Sequence, residues 1–110
     1  MNEPEDFMRI GEYQLRNLIS NRTQFVYLDL RSPERIAAQA PGHFFFTGSI
    51  PARSEQVLEI MRDKGYGTST PVVLICENGS KTVAVAKTLA QNSFLNVFVV
   101  EGGADSLPLD

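Results

Sequence analysis

The chain has 110 residues, 43% of them hydrophobic and 21% charged, with a net charge of −3, one cysteine, one histidine and no tryptophan. That length holds a single domain (residues 1–110) able to bury about 65% of its unfolded surface, and its acidic balance argues against a nucleic-acid or anionic-membrane partner. With no apolar run near the ~20 residues that span a bilayer, an acidic start (MNEPEDFMRI) in place of a secretory signal, and a lone thiol, the expectation is a cytoplasmic protein in a reducing compartment.

Residues 1–6 are polar and expected to be mobile. Leu15, Leu18 and Ile19 recur at i, i+3, i+4 and predict an amphipathic helix over 12–20, closed by Asn21. The aromatic and branched run FVYLDL, 25–30, predicts a buried strand. Ser32 as N-cap with Pro33 at the first helical position predicts a short helix next. PGHFFFTGSIP, 41–51, reads as a loop with a very short strand near Ser49 and Ile50. Val57, Leu58 and Met61 align on a helix over 54–63 that Gly65 stops. Pro71 opens the strand-like VVLIC, residues 72–76. Val83, Ala86, Leu89 and Ala90 form a helical stripe within 80–91, and NVFVV, 96–100, is the last strand, ended by Glu101-Gly102-Gly103. Strands thus alternate with helices, and FVYL, VVLI and VFVV are continuously apolar. That pattern belongs to an α/β fold: a mainly parallel central sheet covered on both faces and joined by right-handed crossovers.

In such a sheet ligands bind beyond the carboxyl ends of the strands. Asp29-Leu30-Arg31, Cys76-Glu77-Asn78-Gly79 and Glu101-Gly102-Gly103 all fall there, and Cys76 is the only strong nucleophile among them. Ser80 begins a helix, so the N–H groups near 79 to 82 point back toward the loop, and Gly79 permits the positive φ that lets them converge on one anion. A thiolate at Cys76 would sit in that cradle, with Lys81 as a nearby cation. Glu77 opposes it: a carboxylate about 6 Å away costs roughly 0.7 kcal/mol in water and nearer 3 kcal/mol at an effective dielectric of 20. Glu77 is therefore expected to point into solvent, or the thiolate is less activated. The plain alternative is that Cys76 is a small buried hydrophobe ending a strand.

The ordered set LDLRSPER, GH…GSIP, VVLICENGSKT and VFVVEGG resembles the rhodanese-like sulfurtransferase domain over about residues 21–103. The resemblance implies the family's three-layer fold, with helices on both faces of the sheet. It implies a single-domain sulfurtransferase in which Cys76 takes a sulfane sulfur and holds it as a persulfide. The next residues, Glu77, Asn78, Gly79, Ser80 and Lys81, with Thr82 after them, would form the active-site loop around that sulfur. Asp29 and Arg31 would be structural residues bracing the rim. Partners would be a small sulfur donor (thiosulfate or a persulfide) and a thiol, cyanide or protein-cysteine acceptor, with no metal or organic cofactor, no nucleic acid and no membrane. Many members carry arginine in the loop where this chain has Glu77 and Lys81, so thiosulfate is expected to be a poor substrate. The family continues into a covering helix after the last strand, whereas Pro108 intervenes here; the resemblance then leaves part of the sheet for a protein partner or a second copy.

Competing chemistries fit less well. A C-x5-R phosphatase loop needs a guanidinium six residues after the cysteine, where Thr82 stands. GSKT echoes the end of a P-loop, but Ser80 separates the glycine from the lysine. His43 is read as a structural hydrogen-bonding residue and Phe44–Phe46 as core packing. With one cysteine and one histidine, a zinc site is not expected. Two rivals remain at this stage: a non-catalytic interaction or regulatory module of the same fold, and a redox-responsive thiol protein.

Overall fold

A computed structural model describes residues 7–39 and 42–108; residues 1–6, expected to be mobile, and Pro41, at the head of the expected loop, lie outside them. The elements in chain order are β1 (Met8–Ile10), α1 (Glu12–Ser20), β2 (Val26–Asp29), α2 (Pro33–Ala38), β3 (Ile50–Pro51), α3 (Val57–Asp63), β4 (Val72–Ile75), α4 (Ser80–Gln91) and β5 (Val97–Val100), with 3-10 turns at Phe44–Phe46, Ser54–Gln56 and Ala104–Ser106. Five strands among these residues form one sheet in the order β1-β5-β4-β2-β3, every pair parallel. Their carboxyl ends share one rim: Asp29 pairs with Ile75, and Leu74 with Val99.

The apolar strands are continuous because each is covered on both faces. Leu28, Leu74 and Val99 point to the side packed by Val57 and Met61 of α3 and by Ala86 and Leu89 of α4. Tyr27, Val73 and Ile75 point to the other side, which Leu15 of α1, Phe45 and Leu107 fill. Period-two alternation within a strand thus serves two cores, the physical basis of the unbroken hydrophobic runs. The Tyr27 hydroxyl reaches across the second core and donates to the Phe45 carbonyl at 2.7 Å. Burial, with help from the Asp29 charge, raises its pKa far above the ordinary phenol value, so it stays a donor.

Several local expectations change. β1 lacks a readable pattern because Ile10 alone of its three residues is buried. The phenylalanine triplet is a 3-10 turn, not open loop: Phe45 is buried while Phe44 remains partly exposed. The helix expected from residue 54 begins with a 3-10 turn and becomes α-helical at Val57. Gly65 does end it, at φ +70, with Tyr66 donating back to the Met61 carbonyl at 3.0 Å. On α4 the buried stripe is Thr82, Val85, Ala86 and Leu89, rotated from the expected one so that Val83 and Ala90 are only half-buried. Past residue 103, one 3-10 turn places Ala104 and Leu107 in the second core.

Candidate functional site: the cysteine loop at the carboxyl rim

β4 ends at Ile75, so Cys76 is the first residue past the sheet, directly beneath the start of α4. Gly79 holds φ +90, the left-handed conformation that turns the chain into the helix. Its N–H donates to the Cys76 sulfur at 3.2 Å. The next amide does not join it: the Ser80 N–H donates to Asn78 Oδ1 at 3.0 Å. Inside the loop, the buried Thr82 hydroxyl donates to the Gly79 carbonyl at 3.2 Å. Cys76 itself is fully buried. In this conformation the residue is closed to solvent.

Glu77 neither points into free solvent nor confronts the sulfur unpaired. Its Oε2 accepts the Ser32 N–H at 2.8 Å, and its Oε1 lies 3.4 Å from Lys81 Nζ. Burial disfavours its charge, yet the Ser32 amide, its own amide and Lys81 together hold the carboxyl below its ordinary pKa. Lys81 also donates to the Leu30 carbonyl at 3.3 Å. The cation expected beside the thiolate is therefore engaged with Glu77 and the end of β2.

Asp29 and Arg31 are bonded to each other. The Arg31 Nη2 lies 2.8 Å from Asp29 Oδ2, its Nε 3.0 Å from Oδ1, and its backbone N–H also reaches Oδ1. Gln39 accepts from the same guanidinium, and the Phe46 ring lies 3.8 Å from it. A buried pair with every charge hydrogen-bonded fixes the β2–α2 turn. On that turn Ser32 caps α2, its hydroxyl accepting the Arg35 N–H. His43 is likewise engaged locally, its Nδ1 accepting the Phe45 N–H at 3.3 Å.

The sequence reading missed the support behind the loop. The Ala104 N–H donates to the Cys76 carbonyl and the Asp105 N–H to the Glu77 carbonyl, both at 2.8 Å. Gly103, at φ +62, packs so closely that a Cβ there would overlap the Cys76 carbonyl oxygen and lie 2.7 Å from Asn78 N. The paired glycines after β5 were the one signal for this contact. Across the rim the half-exposed side chains of Arg35 and Asp105 meet at 2.8 Å. The hydrogen bond to Asp105 is the main cause that raises the Arg35 pKa, with Asp105 and Glu77 charges adding to it.

A family model for the rhodanese-like domain matches residues 12–107. The thiosulfate sulfurtransferase GlpE of Pseudomonas aeruginosa is 28% identical over 99 residues, covering 90% of this chain and 82% of that protein. The crystal structure of a rhodanese-like domain protein from Staphylococcus aureus superposes with a TM-score of 0.70 at 17% identity, covering 90% of this chain and 89% of the other. The polysulfide-sulfur transferase homodimer of Wolinella succinogenes gives a TM-score of 0.69 at 18% identity, covering 92% and 72% respectively. With the family model spanning nearly all of its elements, the chain belongs to the rhodanese-like domain family.

Proposed function

We propose that the protein is a cytoplasmic sulfurtransferase that carries a sulfane sulfur on Cys76. The observation that carries this reading is the Gly79 N–H aimed at the Cys76 sulfur at 3.2 Å, in a loop at the carboxyl rim of a parallel sheet. In the first half-reaction the Cys76 thiolate attacks the outer sulfur of the donor. The S–S bond of the donor breaks and its electron pair leaves with the departing group, sulfite when the donor is thiosulfate. Cys76 is left as a persulfide anion. In the second half an acceptor thiolate attacks the terminal sulfur, forming an acceptor persulfide and returning the Cys76 thiolate. No net proton or electron is exchanged with solvent.

The surroundings suit a loop that closes over this sulfur. Glu77 is neutralised by Lys81, so its repulsion of a thiolate is reduced. Arg31 and Lys81 are both engaged, which leaves Arg35 as an exposed cation beside the loop; its pair with Asp105 is in solvent and weak enough for an oxoanion donor to displace. The burial of Cys76 favours a second reading, a silent interaction module of the same fold.

Intact mass after incubation with thiosulfate, a low-molecular-weight persulfide or a polysulfide separates the two. The expected result is a gain of about one sulfur atom, removed by cyanide or a reductant and absent in Cys76→Ala. A mass unchanged by all three donors overturns sulfur transfer and leaves the interaction module.

A further inference from the structure

Beside the cysteine loop lies a track that the sulfur chemistry leaves unused. Helix α2 buries none of its side chains: Ile36 is half-buried, and Pro33 and Ala37 on the same face are exposed. Together with Pro51 and Ala52 they wall a hollow of about 390 Å³ that Arg53 completes. A second hollow of about 540 Å³ shares Arg31, Ile36 and Pro51 with the first and continues to Gln39, His43 and Ser49. Two open hollows in series suit an extended chain better than a compact small molecule. Strand addition is not the mode, because β3 is only two residues long and its Pro51 has no N–H to donate.

The charge of the track selects its occupant. Its first hollow is lined by two arginines and no carboxylate, in a chain whose net charge is −3. Arg31 is neutralised by Asp29, the one carboxylate lining the second hollow. The Arg53 side chain is exposed and makes no hydrogen bond or ion pair among the described residues. Glu55, two residues on, faces a different hollow between α3 and α4. The track also abuts the reactive loop: Pro33 follows Ser32, whose N–H is bonded to Glu77.

We infer that this track docks an extended segment of a partner protein, small and apolar with interspersed carboxylates, and so presents that partner's cysteine to Cys76. The presentation of a cysteine rests on the sulfur-transfer reading; the docking does not.

The test uses two probes, the peptides acetyl-Asp-Leu-Pro-Glu-Ala-Leu-Cys-amide and acetyl-Lys-Leu-Pro-Lys-Ala-Leu-Cys-amide. Sulfur-loaded protein is expected to transfer to the acidic peptide about tenfold faster at low salt, a preference reduced at about 0.5 M salt. Arg53→Glu should reverse the preference, and Ala37→Trp, also at an exposed position, should slow both peptides by filling the track. Serine analogues of the peptides read docking without sulfur chemistry: the acidic one should shift the backbone amide resonances of Ile36, Ala37, Ala52 and Arg53. Equal rates unmoved by Arg53→Glu, or shifts elsewhere, overturn the docking surface while loading of Cys76 stands. Shifts at the track in a protein that no donor loads overturn sulfur transfer instead and keep the surface. Burial of the track in a sedimenting dimer assigns it to a second copy and overturns the partner.

Discussion

Glu77 sits one residue from the sulfur and decides how the loop is held. Its carboxylate ties three pieces of chain together: the Ser32 amide on the β2–α2 turn, Lys81 in the first turn of α4, and the loop itself. Its folded pKa is lowered, so its contribution is full above the unfolded value of about 4.3 and is lost as pH falls through the folded one. Glu77→Gln should therefore lower stability at pH 7 by about 1 kcal/mol, since an amide oxygen still accepts from Ser32 but without charge. Urea titrations of the two proteins should converge as the pH falls through that lowered folded value. In the same variant iodoacetamide should modify Cys76 several-fold faster at pH 7, because a looser loop exposes the sulfur more often; an unchanged rate would show that Glu77 does not hold the mouth. The position of the thiol was legible in the sequence, since one cysteine follows a strand and precedes a glycine turn and a helix start. The fate of Glu77 was not. Its decisive partner is 45 residues away.

Elements with a full period of their own were readable: α1, α2 with its Ser32–Pro33 start, β2, β4, α4 and β5 lie where apolar spacing and caps place them. Those that depend on neighbours were not. β1 has three residues, one of them Met8 at 61% exposure, and becomes a strand because the edge of β5 offers it a ladder. The segment after β5 is the clearest case, because its meaning lies in what it touches. A Cβ on Gly103 would run into the backbone of the cysteine loop, so the position needs the missing side chain as well as a positive φ. Gly103→Ala should cost about 3 kcal/mol or more, because the clash is with backbone that cannot move without dragging Cys76. Gly79→Ala is the comparison: a Cβ there meets nothing nearer than 3.5 Å, so the expected loss is the left-handed strain of about 1 kcal/mol. Chemical unfolding of both variants tests the order. Equal losses would mean that conformation alone, and not the packing of the two loops, requires glycine after β5.

At the scale of the molecule, the parallel sheet with two covered faces was legible because three strands are apolar without interruption, and the rim followed from that topology. The closure of the rim was not, because it depends on links such as Arg35 to Asp105, 70 residues apart. The same C-terminal segment performs two tasks that sequence keeps separate. Leu107 helps to fill the second core, while Ala104 and Asp105 hold the backbone of Cys76 and Glu77 from behind. A defect in that core should therefore reach the reactive loop when it falls in this segment, and not when it falls elsewhere in the same core. Leu107→Ala and Leu15→Ala provide the contrast, since both side chains are buried in one cluster and each truncation should cost about 2–5 kcal/mol. At denaturant concentrations that equalise global stability, iodoacetamide should modify Cys76 about fivefold faster in Leu107→Ala, through local release of the segment behind the loop. If Leu15→Ala is modified equally fast, the sulfur is reached by global unfolding, and the C-terminal turn serves the core alone.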